Sequence, residues 1–253
     1  MTDSAALIAH LRQLANASSH EAAEAEAPDA WLADGLAKGQ LHEIFAVDDA
    51  DGACAAGFAV ALTLAARGTP LLWLRNQDTE RAAGRLHGPG LIEMGLNPAA
   101  LVLAVVEDDA ALLRAAADAA RCPGLATLIV EGRGRMPGYD LTATRRLMLA
   151  AEVSGVTILA LRVDAEPSPT AAATRWGVTP ALSARLEADA PGAPAFDVEL
   201  LRRRRGPAGT RWRVEWNRDT QSFDPAPLSG ASLPLGVDRA AARMPPAPVR
   251  RPR

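Results

Sequence analysis

The sequence predicts an α/β fold: a mainly parallel sheet with helices on both faces, continued by an antiparallel hairpin. Three observations predict it. Length and composition come first, because 253 residues with 49% hydrophobic, 23% charged and 4% aromatic residues can bury a sizeable core. Second, five short apolar runs alternate with helical segments between residues 41 and 162, the pattern of parallel strands joined by right-handed helical crossovers. Third, two apolar runs near residues 196–201 and 211–216 flank a basic segment containing Gly and Pro, which reads as a hairpin.

The elements follow in order. Residues 41–47 read as the first strand and 55–66 as the first helix, with Gly68 as its stop. Residues 71–74 form the second strand. Residues 91–95 form a short helix closed by Gly95, Asn97 and Pro98. A strand over 101–106 precedes a helix over 110–121 that Asp108 or Asp109 caps. Residues 126–130 are the fourth strand, and 142–154 a helix opened by Thr142 and ended at Gly155. Residues 156–162 are the fifth strand. Beyond Asp164 the pattern changes, and the segments at Arg175-Trp176 and 183–188 alternate only weakly.

The ends read differently. Residues 1–28 hold a helix with Leu7, Ile8, Leu11 and Leu14 on one face, then an acidic Ala-rich linker. Residues 29–224 make the core. Residues 225–253, with Pro234, Pro245, Pro246, Pro248 and Pro252, read as a disordered basic tail. No basic start followed by an apolar stretch marks a signal peptide, and no apolar run approaches the ~20 residues of a membrane span. Cys54 and Cys122 are too few for a disulfide framework, so a reducing cytoplasm is expected.

The net charge of −3 conceals a split. Residues 1–52 hold ten acids against Arg12 and Lys38, and residues 201–253 hold twelve arginines against four acids. The basic end suits a macromolecular partner or nucleic-acid phosphates; a solvated face is the plainer reading.

In open parallel sheets, ligands bind at the carboxyl ends of the strands. A phosphate loop there needs G-x-x-x-x-G-K-[ST], so that backbone amides cradle phosphate, Lys reaches the terminal phosphates and a hydroxyl holds the metal. Gly52 and Gly57 keep the glycine spacing, but Phe58 stands at the lysine position and Ala59 at the hydroxyl position. The one lysine, Lys38, precedes the first strand. The loop is therefore a degenerate nucleotide site at Gly52 and Gly57, with Asp48, Asp49 and Asp51 repelling phosphate. No catalytic residue, cofactor or metal site is expected: His10, His20, His42 and His87 share no ligand spacing. Glu131, at the end of the fourth strand, reads as a solvated acid, and Cys54 as a small core residue. Arg133, Arg135, Arg175, Arg202, Arg203, Arg204, Arg205, Arg250, Arg251 and Arg253 are the candidate contacts to DNA phosphate or acidic protein.

With these elements in place, the chain resembles the RecA-like core, and within it the bacterial ImuA family, also labelled SulA-like. The residues that carry the resemblance begin with Gly39-Gln-Leu-His-Glu-Ile-Phe45 and Gly88-Pro-Gly-Leu91 with Met94-Gly-Leu-Asn-Pro98. They continue through Asp140-Leu-Thr-Ala-Thr-Arg-Arg-Leu147, Ala150-Ala-Glu-Val-Ser-Gly-Val156, Ala171-Ala-Ala-Thr-Arg-Trp176 and Arg211-Trp-Arg-Val-Glu-Trp216. The resemblance implies an accessory protein of the damage-induced mutasome for translesion synthesis. Its implied partners are ImuB, a Y-family polymerase relative, RecA, and through the complex an error-prone replicative-type polymerase. It also maps the loops over 131–139 and 164–175 onto RecA's DNA-binding loops; both are short here and carry Pro or Gly. Two alternatives stay open at this point: a divergent RecA-like ATPase, and a SulA-like inhibitor of cell division.

Overall fold

The computed structural model describes residues 36–46, 48–183, 186, 190 and 192–225. The expected N-terminal helix and linker lie outside the described residues, as does the tail after Pro225 with Arg250, Arg251 and Arg253.

One nine-stranded sheet organises the chain, in the order β3-β2-β4-β5-β1-β6-β7-β8-β9. The strands are β1 (Leu41–Ala46), β2 (Leu71–Asn76), β3 (Leu101–Val106), β4 (Thr127–Arg133), β5 (Thr157–Val163), β6 (Thr174–Pro180), β7 (Ala195–Arg203), β8 (Arg211–Asn217) and β9 (Ser222–Pro225). Pairing is parallel from β3 across to β6 and antiparallel from β6 to β9. The helices are α1 (Gly52–Ala65), α2 (Gln77–Ala83), α3 (Gly88–Glu93), α4 (Asp109–Ala119) and α5 (Leu141–Ser154).

Two apolar layers hold the sheet. On one face α1 packs against Ile44, Trp73, Ile129, Leu161 and Trp176. On the other, α4 and α5 pack against Leu41, Leu74, Leu128 and Ile158. Every residue of β1 and β5 is buried, as expected of central strands covered on both sides. Helix α1 carries no charged residue and is buried over most of its length, so it sits within the protein rather than on its surface. It also joins the two halves of the sheet. The Phe58 ring lies 5.5 Å from both Phe196 on β7 and Phe223 on β9, and Trp216 packs on Phe223 at 5.1 Å. Aromatic clusters of this kind stabilise beyond the area they bury.

The structure departs from the sequence expectation in several places, including a short helix at Gly88–Glu93 instead of 91–95 and an added strand, β9. Helix α1 begins at Gly52, three residues early. Helix α5 is capped by Asp140, whose side chain accepts from Ala143 N at 2.7 Å, and not by Thr142. Helix α2 was not expected; Asn76 starts it by accepting from Thr79 N at 2.7 Å. Strand β4 continues to Arg133, because Glu131 is buried in polar contacts that let a charged residue remain in a central strand.

Candidate functional site

The carboxyl edge of the parallel strands forms the first candidate site. Strand β1 ends at Ala46 and α1 opens at Gly52, with a 3-10 turn over Asp49–Asp51 between them. Within that link Asp51 N donates to Asp48 O at 3.0 Å, and Asp48 N donates to Asp51 Oδ2 at 3.3 Å. Gly52 has helical dihedrals (φ −54°, ψ −43°), and Gly57 lies one and a half turns inside the helix. The two glycines are therefore on a helix and not in a loop. The Asp51 and Gly52 amides close the turn, donating to Asp48 O and Asp49 O. A Cβ on Gly52 would stand 3.1 Å from Val163 Cγ1, so close packing against β5 accounts for that glycine. Lys38 is exposed in the turn before β1, at the opposite end of the strand.

A cavity of about 510 Å³ opens at this edge, between the start of α1, the α2–α3 segment and the ends of β2 and β4. Its polar wall is paired only in part: Arg75 Nε and Thr79 Oγ1, both in its lining, are buried with no hydrogen-bond partner among the described residues. Arg75, 1% exposed, donates to Glu131 Oε1, to Glu80 Oε2 and to Gly84 O, each at 2.9 Å. Trp73 Nε1 donates to Glu131 Oε2 at 2.8 Å. Glu131 is thus buried, where the sequence suggested a solvated acid. Burial raises its pKa, while Arg75 and the Trp73 hydrogen bond oppose that rise. At the rim, Arg133 pairs with Asp49. Arg75 and Arg133 both face carboxylates, and Phe58 is buried under β7.

A second polar cluster lies on the α5 face. Glu43, fully buried, accepts from Arg175 Nε at 2.8 Å and from Tyr139 Oη at 3.0 Å. Arg175 also donates to Ser168 O at 2.6 Å, and its guanidinium lies 5.2 Å from the Phe45 ring centre. Arg162 donates to Gly134 O at 2.8 Å and stacks 5.0 Å from the Tyr139 ring. Burial lowers the Arg162 pKa, with Tyr139 and Glu43 opposing, and burial pushes the Tyr139 hydroxyl well above 10. The reading of Arg175 as a surface contact is therefore corrected. Its side chain is buried and holds the segment leading into β6. A Cβ at Gly132 would run into Met136 Sδ and Arg162 Nη1, so a larger residue there would have to displace these two side chains.

The arginine run lies elsewhere. Because Thr174 pairs with both His42 and Arg203, the end of β7 sits at the amino edge of the parallel strands. Arg202 is half-buried and donates to Ala172 O at 3.0 Å, and Arg204 is exposed and donates to Ala171 O at 2.9 Å. Arg203, Arg204 and Arg205 line a polar recess of about 270 Å³ with His42, Thr174 and Glu152. Arg135 is exposed, but with Arg133 it lies at the other end of the sheet. The candidate arginines thus divide between two edges rather than forming one surface. Among the described residues, no group of three His, Cys, Asp or Glu side chains could hold a metal ion, and no helix is long and apolar enough to cross a membrane.

A solved structure of the RadB recombinase matches 76% of this chain and 92% of its own, with a TM-score of 0.51 at 14% identity. The chain has a RecA-like fold. No family model and no curated protein matches the sequence. Within this RecA-like fold, three positions carried information that sequence reading left unused. Trp73 and Arg75 lie in β2 and Tyr139 in the turn before α5, and the signal was present as a charged residue, Arg75, after four apolar ones in that strand.

Proposed function

We propose that the chain is a non-catalytic RecA-like accessory protein of SOS-induced, error-prone translesion DNA synthesis, working in the bacterial cytoplasm and at damaged nucleoid DNA. It acts by contacting an ImuB-like Y-family polymerase relative and RecA, and through them an error-prone replicative-type polymerase. The observation that carries this reading is Phe58. The residue standing where a phosphate loop has its lysine is 0% exposed and packs between Phe196 and Phe223. A side chain in that place anchors the core and cannot reach a ligand. The ion pairs of Arg75 with Glu80 and Glu131 support the same reading, and so does the ordered series of ImuA-like segments across the chain. DNA contact, where it occurs, falls to Arg203, Arg204 and Arg205 through phosphates.

Two measurements test the proposal. Magnesium ATP leaves the melting temperature and the phosphate background unchanged; nucleotide protection together with turnover overturns the non-catalytic reading. The full chain retains purified ImuB-like protein and RecA in a pull-down; retention of neither overturns the adaptor reading.

A further inference from the structure

Helix α5 packs on the sheet through Leu147, Met148 and Ala151. The opposite side of such a helix is expected to be polar, yet Leu141, Leu149 and Val153 are 53%, 53% and 91% exposed. Their spacing in steps of four and eight residues sets them in one row along the helix. The carboxyl end of the row opens into a groove of about 560 Å³, lined by Arg121, Pro123, Arg146, Leu149, Ala150 and Val153. Both charges in that lining are positive. Arg146 is exposed and has no ion pair among the described residues.

We propose that residues 5–17 of the same chain dock as a helix along this row, with Leu7, Ile8, Leu11 and Leu14 turned toward Leu149 and Val153. This goes beyond the adaptor reading and does not depend on it. Four observations select the occupant. The first is shape: Leu7, Ile8, Leu11 and Leu14 share one helical face, and a helix this short is marginal in water without an apolar surface to cover. The second is length, since residues 5–17 match the span from Leu141 to Val153, each about 20 Å as a helix. The third is position. The chain enters β1 beside the carboxyl end of α5, where a Cβ on Gly39 would stand 3.3 Å from Ala151 O and 3.4 Å from Gly155 Cα. A flexible chain as long as residues 18–35 spans about 23 Å, enough to return along α5.

The fourth is charge. Residues 1–35 hold six acids against Arg12, five of them between residues 18 and 35, and would meet a basic groove. The other terminal segment, 226–253, holds five arginines against Asp238 and leaves from β9 at the far edge of the sheet, so charge and position both count against it. The β3 edge is a poor seat for the acidic segment, because it lies four strands from β1 and is followed by Glu107, Asp108 and Asp109. A short tether also holds its segment at about millimolar effective concentration, ahead of a second copy in dilute solution.

The test uses the full chain with Cys54→Ser and Cys122→Ser, and one reporter thiol: Val153→Cys in the row, or Glu166→Cys in an exposed loop. Each maleimide rate is taken relative to its rate in urea. Position 153 is expected to label at least about tenfold more slowly than position 166, independently of protein concentration. Adding Leu7→Asp and Leu11→Asp is expected to abolish the difference while cooperative unfolding is retained. Under mild oxidation, Leu11→Cys with Val153→Cys is expected to close an internal disulfide, leaving the chain monomeric on a non-reducing gel, far faster than Leu11→Cys with Glu166→Cys. Equal labelling at positions 153 and 166 overturns the proposal. So does protection that survives Leu7→Asp with Leu11→Asp, protection that appears only as the protein is concentrated, or a disulfide between chains in place of the internal one.

Discussion

Arg175 donates its Nε–H to Glu43 Oε2 at 2.8 Å across two paired strands, with Glu43 fully buried. This contact turns an arginine of the basic C-terminal half into a strut of the core. The same carboxylate receives the Tyr139 hydroxyl, so one acid ties together the segments leading into α5 and β6. Removing one member of a buried pair leaves the other charged and unpaired, at a cost of about 3–5 kcal/mol. Glu43→Ala and Arg175→Ala are each expected to lose that much in urea unfolding. Arg175→Lys recovers little, because lysine has no planar fork to span Glu43 and Ser168 O.

Phe58 makes the second prediction. Phe58→Lys restores a lysine at the phosphate-loop position. It is expected to cost more than about 3 kcal/mol, since it places an amine among Phe196 and Phe223 and removes a buried ring. Calorimetry with magnesium ATP checks the other half of the expectation, which is no heat of binding for the variant. ATP binding by a folded Phe58→Lys protein would contradict it.

His42 makes stability depend on pH. Burial lowers its pKa from 6.5 to about 4, with the Ala37 carbonyl opposing. The unfolded chain takes up a proton near pH 6.5 and the folded protein does not until about pH 4. Stability from this residue is therefore full above pH 6.5 and falls as pH drops through that window, by about 3 kcal/mol in all. Urea midpoints measured between pH 7 and pH 5 are expected to decline in the wild type and to flatten in His42→Gln.

The two thiols separate by environment. Burial raises the Cys54 pKa to about 12, with Asp51 and Asp197 adding to it, and Cys122 is exposed. Only the thiolate reacts. Maleimide at neutral pH is expected to label Cys122 first, with Cys54 slower by roughly two orders of magnitude until urea is added. Mass spectrometry of tryptic peptides distinguishes the sites.

The arginine run divides into two roles. Arg202 donates to Ala172 O and is half-buried, whereas Arg205 is exposed. Arg202→Ala is expected to lower the melting temperature. Arg205→Ala is expected to leave it unchanged and to reduce the salt slope of any DNA binding by about one counterion. A filter-binding series across salt concentrations checks the second outcome. Equal thermal losses in both variants would remove the distinction.

Local chemistry determined a good deal of this protein by itself. The apolar run over 156–162 became β5, a strand buried on both faces; the runs over 41–47 and 101–106 gave β1, which buries His42 and Glu43 among its apolar residues, and β3 at the outer edge. Gly155 ended α5 in the left-handed conformation (φ 82°) that favours glycine. The missing lysine at residue 58 was equally plain, since it needs no geometry. Tertiary structure decided the fate of each charge. The sequence states that Arg75, Glu131, Arg175 and Glu43 exist, but not that a parallel register brings Glu43 beside Arg175, or β2 beside β4 so that Arg75 meets Glu131. A buried charge is tolerated only with a partner, and here the partners lie 56 and 132 residues apart along the chain. Distance of that kind leaves no trace in local pattern. The sheet order separates Arg133 from Arg203 and hides Arg175, so the array of arginines in the sequence does not become a single surface in the fold.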